Sequence, residues 1–510
     1  MPAKIFSAAV LGLEAVPVEV EADLGGGEMG SFAVVGLPDA AISESRERVR
    51  SAIKNSDFDF PRLKVTVNLA PANLKKHGPI YDLPIALSVL TALGKGGLTS
   101  QAFNDSWFLG ELALDGELRP VCGALPIACQ AQASGITNLF LPAANAREAG
   151  IVGGLNIFGV KNLRQLVNHL TGRQLIEAQT PTELNFLAPT TLLDFKDIAG
   201  QQHAKRALAL AAAGGHNVLM SGSPGSGKTM LARALPSILP TLSLTEALEL
   251  TKIYSVAGEL SGQKYLVDAR PWRSPHHSAS AVAVIGGGAW PRPGEVSLAH
   301  RGVLFLDEFG EFPRQILESL RQPLEDGIVT VSRAAGSLTF PAKFMLVAAM
   351  NPCPCGFLND QEKPCRCTGS QLAGYRRKLS GPILDRIDLY LDVPRLNFSE
   401  LENLSGNQSS IEIRQTVEAA RQRQAERFAG TPFISNHEMT SEAVRAFCPL
   451  DNASRHLLEQ AIEKLHLSPR SYFRIIKLAR TIADLAGEAV IGQNHVAEAL
   501  QYRPPADLLI

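Results

Sequence analysis

Alternating and helical hydrophobic patterns trade places along the chain and divide it into three stretches. In residues 1–175, VPVEVEAD sets Val16, Val18 and Val20 against Glu19 and Glu21, and RLKVTVNLA alternates Leu63, Val65, Val67 and Leu69 with polar positions. A period of two with one apolar face predicts half-buried strands. The runs ISESRERVRSAI and DLPIALSVLTAL predict helices between strands. ELALDGELRPV predicts a hairpin, because Asp115-Gly116 tolerates the positive φ of a tight turn. The expectation is a mixed α and β domain, followed by a linker over 176–192, where EAQTPTELNFLAPTT carries Thr and Pro instead of a periodic pattern.

Residues 193–395 read differently. Short continuous apolar runs (NVLM, GVLFL, FMLVAAM) predict strands buried on both faces, as in a parallel sheet with helices on either side. GIVTVSRAAGSLTFPA alternates, turns at Ala334-Ala335-Gly336 and alternates again, which predicts an inserted hairpin with Arg333 near its tip. Residues 396–510 are helical in pattern. SSIEIRQTVEAARQRQAERFAG opens with a capping box from Ser409 to Glu412 and closes at Gly430. SPRSYFRIIKLARTIADLAG has Ser468 as N-cap, Pro469 in the first turn and Gly487 at its end. Arg474, Lys477 and Arg480 follow Arg470 at helical spacing and read as a solvated or salt-bridged face. The fold class expected is α/β: a mixed N-terminal domain, a central P-loop domain and a C-terminal helical lid.

Composition narrows the partners. A chain of 510 residues with net charge −1 has no overall basic field, so nucleic acid would have to meet a local patch or a channel. Three of the seven cysteines, Cys122, Cys129 and Cys448, are scattered, which does not read as a secreted disulfide framework. The N-terminus has acidic residues too early for a signal peptide, and no apolar run is long enough for a spanning helix. A reducing cytoplasm is the expected location, with no membrane partner.

The chemistry concentrates in the central stretch. HNVLMSGSPGSGKTMLARAL is an apolar strand, a glycine-rich turn and a helix, and it fits G-x-x-x-x-G-K-[ST]. Gly222, Ser223, Pro224, Gly225, Ser226 and Gly227 form the turn around the phosphates of ATP, with the N–H groups of its non-proline residues curled towards them. Lys228 would reach the β- and γ-phosphates, and the Thr229 hydroxyl would ligate Mg²⁺. RGVLFLDEF ends a buried strand in Asp307 and Glu308, where ligands of open α/β sheets bind. Asp307 is positioned to hold Mg²⁺ and Glu308 to polarise the attacking water. KFMLVAAMNP ends another strand at Asn351, whose amide could orient that water. Directly after it, Cys353, Cys355, Cys365 and Cys367 form two C-x-C pairs. They could bind one tetrahedral Zn²⁺, or remain reduced, metal-free thiols. No base lies near them in sequence, which argues against cysteine catalysis.

Taken together, the P-loop, LFLDEF, the Asn351 strand and SGPILDRIDL resemble an AAA+ ATPase. NLAPANLKKHGPIYDLPIALSVL, WRSPHHSAS, VIGGGAWPRPGEVSLAHRGVLFLDE and KLSGPILDRIDL resemble, more closely, the magnesium-chelatase-like ComM/YifB family over essentially the whole chain. The resemblance implies a homohexameric ring with ATP between neighbouring subunits. It makes Arg386 the finger reaching the next subunit's γ-phosphate and Arg470 the lid arginine that senses nucleotide. It further implies a branch-migration helicase acting on single-stranded and branched DNA in natural transformation and recombination, alongside recombination proteins. Arg273, His276, His277 and Arg333 are the candidate DNA contacts, with Lys343 and Arg376–Lys378 weaker ones; for His276 and His277 a structural loop pair or a metal site is the alternative. Residues 1–175 resemble the Lon protease fold without its chemistry: Ile80 stands where that family has Ser, and the partner lysine would fall near Pro126. A chelatase-type motor acting on a protein partner is the alternative. A protein unfoldase is a third reading, which the missing Ser and Lys disfavour.

Overall fold

A computed structural model describes residues 3–26, 28–94, 98, 103–182, 193–260, 264–288, 291–333, 336–358, 360, 362–378, 381–397, 400 and 407–504. The Ala334-Ala335 turn, residues 183–192 of the expected linker, and Leu379-Ser380 of the KLSGP motif lie outside the described residues. The chain divides into two compact units, Met1–Asn185 with Ala247–Val267, and Phe186–Glu246 with Asp268–Ile510.

The first unit is built on a seven-stranded mixed sheet in the order Phe32–Val35, Lys64–Ala70, Glu14–Gly25, Ala3–Leu11, Ser106–Phe108, Asn138–Pro142, Asn156–Val160. The alternating patterns decide its faces. Val18, Val20, Val65, Val67 and Leu69 are fully buried, whereas Leu63 precedes its strand and stays exposed. Glu21 lies on the opposite face, 3.1 Å from Lys4 Nζ. Helix Ala40–Asn55 starts at Asp39, whose carboxylate accepts from Ile42 N at 2.9 Å, and helix Asp82–Ala92 is buried along most of its length. The Glu111–Leu112 and Leu118–Arg119 hairpin turns at Gly116, φ 88°. Residues 247–267, expected in the central domain, pack with this unit instead. Ser255 O accepts from Gly123 N at 3.0 Å, and the Ser255 hydroxyl bonds the buried Glu148 carboxylate, pairings that no local pattern announces.

The second unit holds a five-stranded parallel sheet in the order Trp272–Arg273, Val303–Leu306, Met345–Met350, Val218–Ser221, Leu389–Asp392. Its central strands are buried on both faces, which is why they read as continuous apolar runs. Register aligns their carboxyl ends: Ser221 stands opposite Met350 and Asp392. The hairpin Ile328–Arg333/Gly336–Pro341 precedes the Met345–Met350 strand. Among the described residues no helix is long and apolar enough to cross a membrane.

The C-terminal helices pack on this sheet's helical layer. Helix Ser410–Arg427 carries the capping box of Ser409 and Glu412, and ends at Phe428, two residues before Gly430. Helix Pro469–Ala486 runs from Ser468 to Gly487. Of the two readings left open for its cationic stripe, the salt-bridged one holds at Arg480, and backbone carbonyls hold Arg474 and Lys477. Arg474 donates to Ile387 O at 2.6 Å, Lys477 to His437 O at 2.8 Å, and burial lowers the Lys477 pKa. Arg480 is 1% exposed and meets the fully buried Asp484, which also receives Arg427 at 2.9 Å and Asn436 at 2.8 Å. The partners come from distant segments, so a periodic charge pattern could not reveal them.

Asp484→Ala would strand two guanidinium groups around a buried gap. It is expected to destabilise the second unit by about 3–5 kcal/mol, read as a lower denaturant midpoint by tryptophan fluorescence. A change below about 1 kcal/mol would show the network to be dispensable.

Candidate nucleotide-binding site

The P-loop leaves the Val218–Ser221 strand at Gly222, whose N–H donates to Met350 O at 3.3 Å. A Cβ at Gly222 would lie 2.3 Å from Val393 O, so only glycine fits this approach. Gly225 and Gly227 take φ of 81° and 91°, which lets the backbone curl. Inside the curl, Lys228 Nζ donates to Gly222 O at 2.7 Å and Ser223 O at 3.0 Å. Burial lowers its pKa, and the nearby Asp307 opposes that shift.

The Thr229 hydroxyl donates to Asp307 Oδ2 at 2.8 Å, so the two expected Mg²⁺ ligands already meet. A hydroxyl and a carboxylate offer hard oxygen donors of the kind Mg²⁺ takes. Glu308 follows in a left-handed conformation, φ 52°, uncommon for a residue with a side chain. Its carboxylate is more than half exposed and lies 3.1 Å from His277 Nδ1. Asn351 begins the next loop, and its carbonyl accepts from the Tyr375 hydroxyl at 3.0 Å. Lys228, Thr229, Asp307, Glu308 and Asn351 thus gather at the carboxyl ends of three neighbouring parallel strands.

The cysteine loop lies against the P-loop. The Ser223 hydroxyl donates to Asp360 Oδ2 at 2.6 Å, a bond that lowers the Asp360 pKa. Arg395 donates to Pro224 O at 3.1 Å. All four cysteine sulfurs lie within 4.8 Å of one another.

Arg386 and Arg470 belong to different segments and meet on one carboxylate. Arg386 bonds Glu325 Oε2, and Arg470 Nη2 donates to Oε1 at 3.1 Å, which together hold the Glu325 carboxyl below its usual range. Arg386 is only 8% exposed. Both arginines line a cavity separate from the one that P-loop residues Gly222 and Ser223 line.

Of the candidate DNA contacts, Arg273 forms a two-point ion pair with Glu295, at 2.6 and 2.7 Å. His276 pairs with Ser278 at 2.7 Å and its ring lies 4.1 Å from that of His277. Arg333 closes the hairpin strand opposite Gly336. Sequence reasoning missed Asp360, Glu325 and Tyr375, which touch the site only through the fold. Asp360, placed inside a cysteine loop beside the P-loop, had the nearest thing to a signal.

Three family models match the chain: magnesium chelatase, subunit ChlI, over 194–401; subunit ChlI of Mg-chelatase over 20–145; and magnesium chelatase, subunit ChlI C-terminal, over 407–503. The competence protein ComM of Haemophilus influenzae is 44% identical over 511 residues, covering 99% of this chain and 98% of that protein. The YifB protein of Salmonella typhimurium is 42% identical over 507 residues, again 99% and 98% of the two chains. The magnesium-chelatase 67 kDa subunit of Chlorobaculum parvum is 30% identical over 173 residues, 32% of this chain and 24% of that protein.

Lys228→Ala removes the ammonium from the loop. ATP binding, measured by isothermal titration, is expected to weaken about 10- to 100-fold, as for loss of a charge-assisted hydrogen bond. Unchanged affinity would overturn the placement of Lys228 at the phosphates.

Proposed function

The chain belongs to the magnesium-chelatase-like AAA+ family that includes ComM and YifB, and from that membership we propose that it is an ATP-driven hexameric motor that migrates branches in DNA. The observation that carries the ATPase half is the convergence of Lys228, the Thr229–Asp307 pair, Glu308 and Asn351 at the ends of adjacent strands. ATP and Mg²⁺ are its cofactors. Thr229 and Asp307 would hold Mg²⁺, which would supply positive charge beside the phosphates. Lys228 binds the β- and γ-phosphates, Glu308 takes the proton of the attacking water, and the Asn351 amide aligns that water.

Arg386 is assigned to the γ-phosphate of the neighbouring subunit and Arg470 to sensing nucleotide from the lid. A planar guanidinium suits both tasks, since it presents paired donors to an anion. Their shared carboxylate, Glu325, is an anion that phosphate can replace.

The DNA half draws on the end-to-end match with a relative named as a competence protein. Its action fits the integration of incoming single strands during natural transformation, in the cytoplasm, beside recombination proteins. The hairpin with Arg333 and the loop with Arg273, His276 and His277 are assigned to the DNA backbone. Such a loop repeated around a six-fold ring needs few basic residues, in keeping with a net charge of −1. Contacts of this kind are salt-dependent and indifferent to sequence. His277, already beside Glu308, offers a route from DNA to hydrolysis. A second reading, a chelatase-type motor remodelling a protein partner, is favoured by the descriptions of the matched family models.

Forked or single-stranded DNA is expected to stimulate ATP hydrolysis at low salt, with ATP-dependent movement of a branched substrate in a gel assay. Glu308→Gln is expected to bind ATP and neither hydrolyse it nor move the branch. If DNA neither binds nor stimulates, the chelatase-type reading takes precedence. Arg386→Ala and Lys228→Ala are each expected to be inactive alone but to regain ATPase activity when mixed, because one supplies the P-loop and the other the finger. Mixtures that stay inactive would place Arg386 on its own subunit's nucleotide.

A further inference from the structure

The loop from Asn351 to Thr368 carries four of the chain's seven cysteines and little regular structure. Cys353 Sγ lies 3.4 Å from Cys355 Sγ and 3.7 Å from Cys365 Sγ, and Cys355 Sγ lies 3.6 Å from Cys365 Sγ. Cys367 completes the set within 4.8 Å, and its N–H points at Cys365 Sγ from 3.5 Å. Four sulfurs at about 2.3 Å from a tetrahedral Zn²⁺ stand about 3.8 Å apart. A disulfide would instead draw one pair to about 2.05 Å and leave the others apart. The near-equal spacings match the first arrangement. Four thiolates with no oxygen donor among them also select a soft or borderline ion over Mg²⁺.

The same loop forms one wall of the P-loop. Asp360, which accepts the Ser223 hydroxyl at 2.6 Å, lies between the two cysteine pairs. Its other oxygen accepts the N–H groups of Glu362 at 3.0 Å and Lys363 at 2.9 Å, in the turn that leads into Cys365. Gly356, directly after Cys355, has φ 83°, and a Cβ there would lie 2.6 Å from Pro224 Cδ. Both contacts with the P-loop are therefore made by residues within a few positions of a sulfur. Among its described residues the loop has no helix or strand of its own to hold those residues against the conformational entropy of release.

We propose that Cys353, Cys355, Cys365 and Cys367 bind one Zn²⁺, and that the metal braces the P-loop through Asp360–Ser223 and Gly356–Pro224, making nucleotide affinity depend on zinc occupancy. A metal that closes a loop contributes its binding free energy to the folded arrangement of that loop. The zinc takes no part in phosphoryl transfer. Its effect reaches the nucleotide through the position of Ser223 and Pro224. The inference rests on ATP binding at the P-loop and is independent of what the motor moves.

The test uses the purified full-length chain, with zinc measured by mass spectrometry and affinity measured with a fluorescent ATP analogue. One zinc per chain is expected, surviving gel filtration in EDTA, with the paired Cys355→Ser and Cys367→Ser substitutions losing it. Stripping the wild type with a stronger chelator is expected to weaken nucleotide binding about tenfold, and Zn²⁺ but not Mg²⁺ to restore it. Asp360→Ala keeps all four ligands, so it is expected to retain zinc yet weaken nucleotide binding to a similar degree. That variant and the stripped wild type carry the test if circular dichroism finds the cysteine variant unfolded. Zinc well below one per chain after reconstitution overturns the metal site. Full zinc with unchanged affinity in both the stripped protein and Asp360→Ala overturns the brace. Wild type that holds zinc and binds no nucleotide would instead refute the P-loop reading.

Discussion

The second unit depends on one buried amide, Asn217, immediately before the P-loop strand. Its N–H donates to Asp388 Oδ2 at 3.0 Å, and its carbonyl accepts from Asp388 N at 2.9 Å and Leu389 N at 3.0 Å. Its side chain donates to Arg386 O at 2.9 Å and accepts from Leu346 N at 2.8 Å. One residue therefore ties together the strand that leads to the P-loop, the strand that leads to Asn351 and the segment that bears Arg386. In a parallel sheet a slip of one residue would send each side chain to the opposite face. Asn217 opposes such a slip, because it would leave several buried polar groups without partners. The network continues outward. Burial works to raise the pKa of Asp388, but His437 and His216 hold it well below the usual carboxylate range. His216 in turn pairs with Thr481 of the Pro469–Ala486 helix at 2.8 Å. The P-loop strand and the helix that carries Arg470 are thus joined through buried polar groups.

This rigidity contrasts with the arrangement of the two arginines. Glu325 is half exposed and holds both Arg386 and Arg470, so these cations are kept beside an anion that water can reach. On the proposed function, Arg386 exchanges one anion for another when a neighbouring subunit presents its nucleotide. Such an exchange avoids leaving a buried guanidinium unpaired, which is the expensive state for a charge with little exposure. A rigid strand scaffold and an exchangeable ion pair are complementary requirements for a site completed by a second subunit.

The parts of the site that were legible in sequence are those where chemistry is packed into consecutive residues. The P-loop needs its glycines, Lys228 and Thr229 in one turn, and Asp307-Glu308 needs only the end of one buried strand. Contacts that span the fold were not legible. Ser223 and Asp360 are 137 residues apart, and Arg470 and Glu325 are 145 apart, so no local period connects them. The stripe of Arg474, Lys477 and Arg480 left two readings open, solvated or salt-bridged, for a related reason. Helical spacing shows that three cations share a face, but whether that face meets water depends on carbonyls and an acid supplied from elsewhere. The segment 247–267 shows the same limit for domain boundaries, since its pairing with Gly123 and Glu148 leaves no mark on its own pattern.

Glu308 links the scaffold to its trigger. A left-handed φ of 52° at a residue with a long side chain is a conformation that the surroundings must maintain, at a cost of about 1–3 kcal/mol. Three contacts maintain it: the Glu308 N–H donates to Asp307 Oδ1 at 2.9 Å, its carboxylate faces His277 at 3.1 Å, and its carbonyl accepts from Glu311 N at 2.7 Å. The first is made by the acid assigned to Mg²⁺, and the second by the loop assigned to DNA. The proposed water-activating group therefore lies where the acid assigned to Mg²⁺, the loop assigned to DNA and a left-handed backbone meet. A motor needs such a junction if hydrolysis is to wait for its cargo.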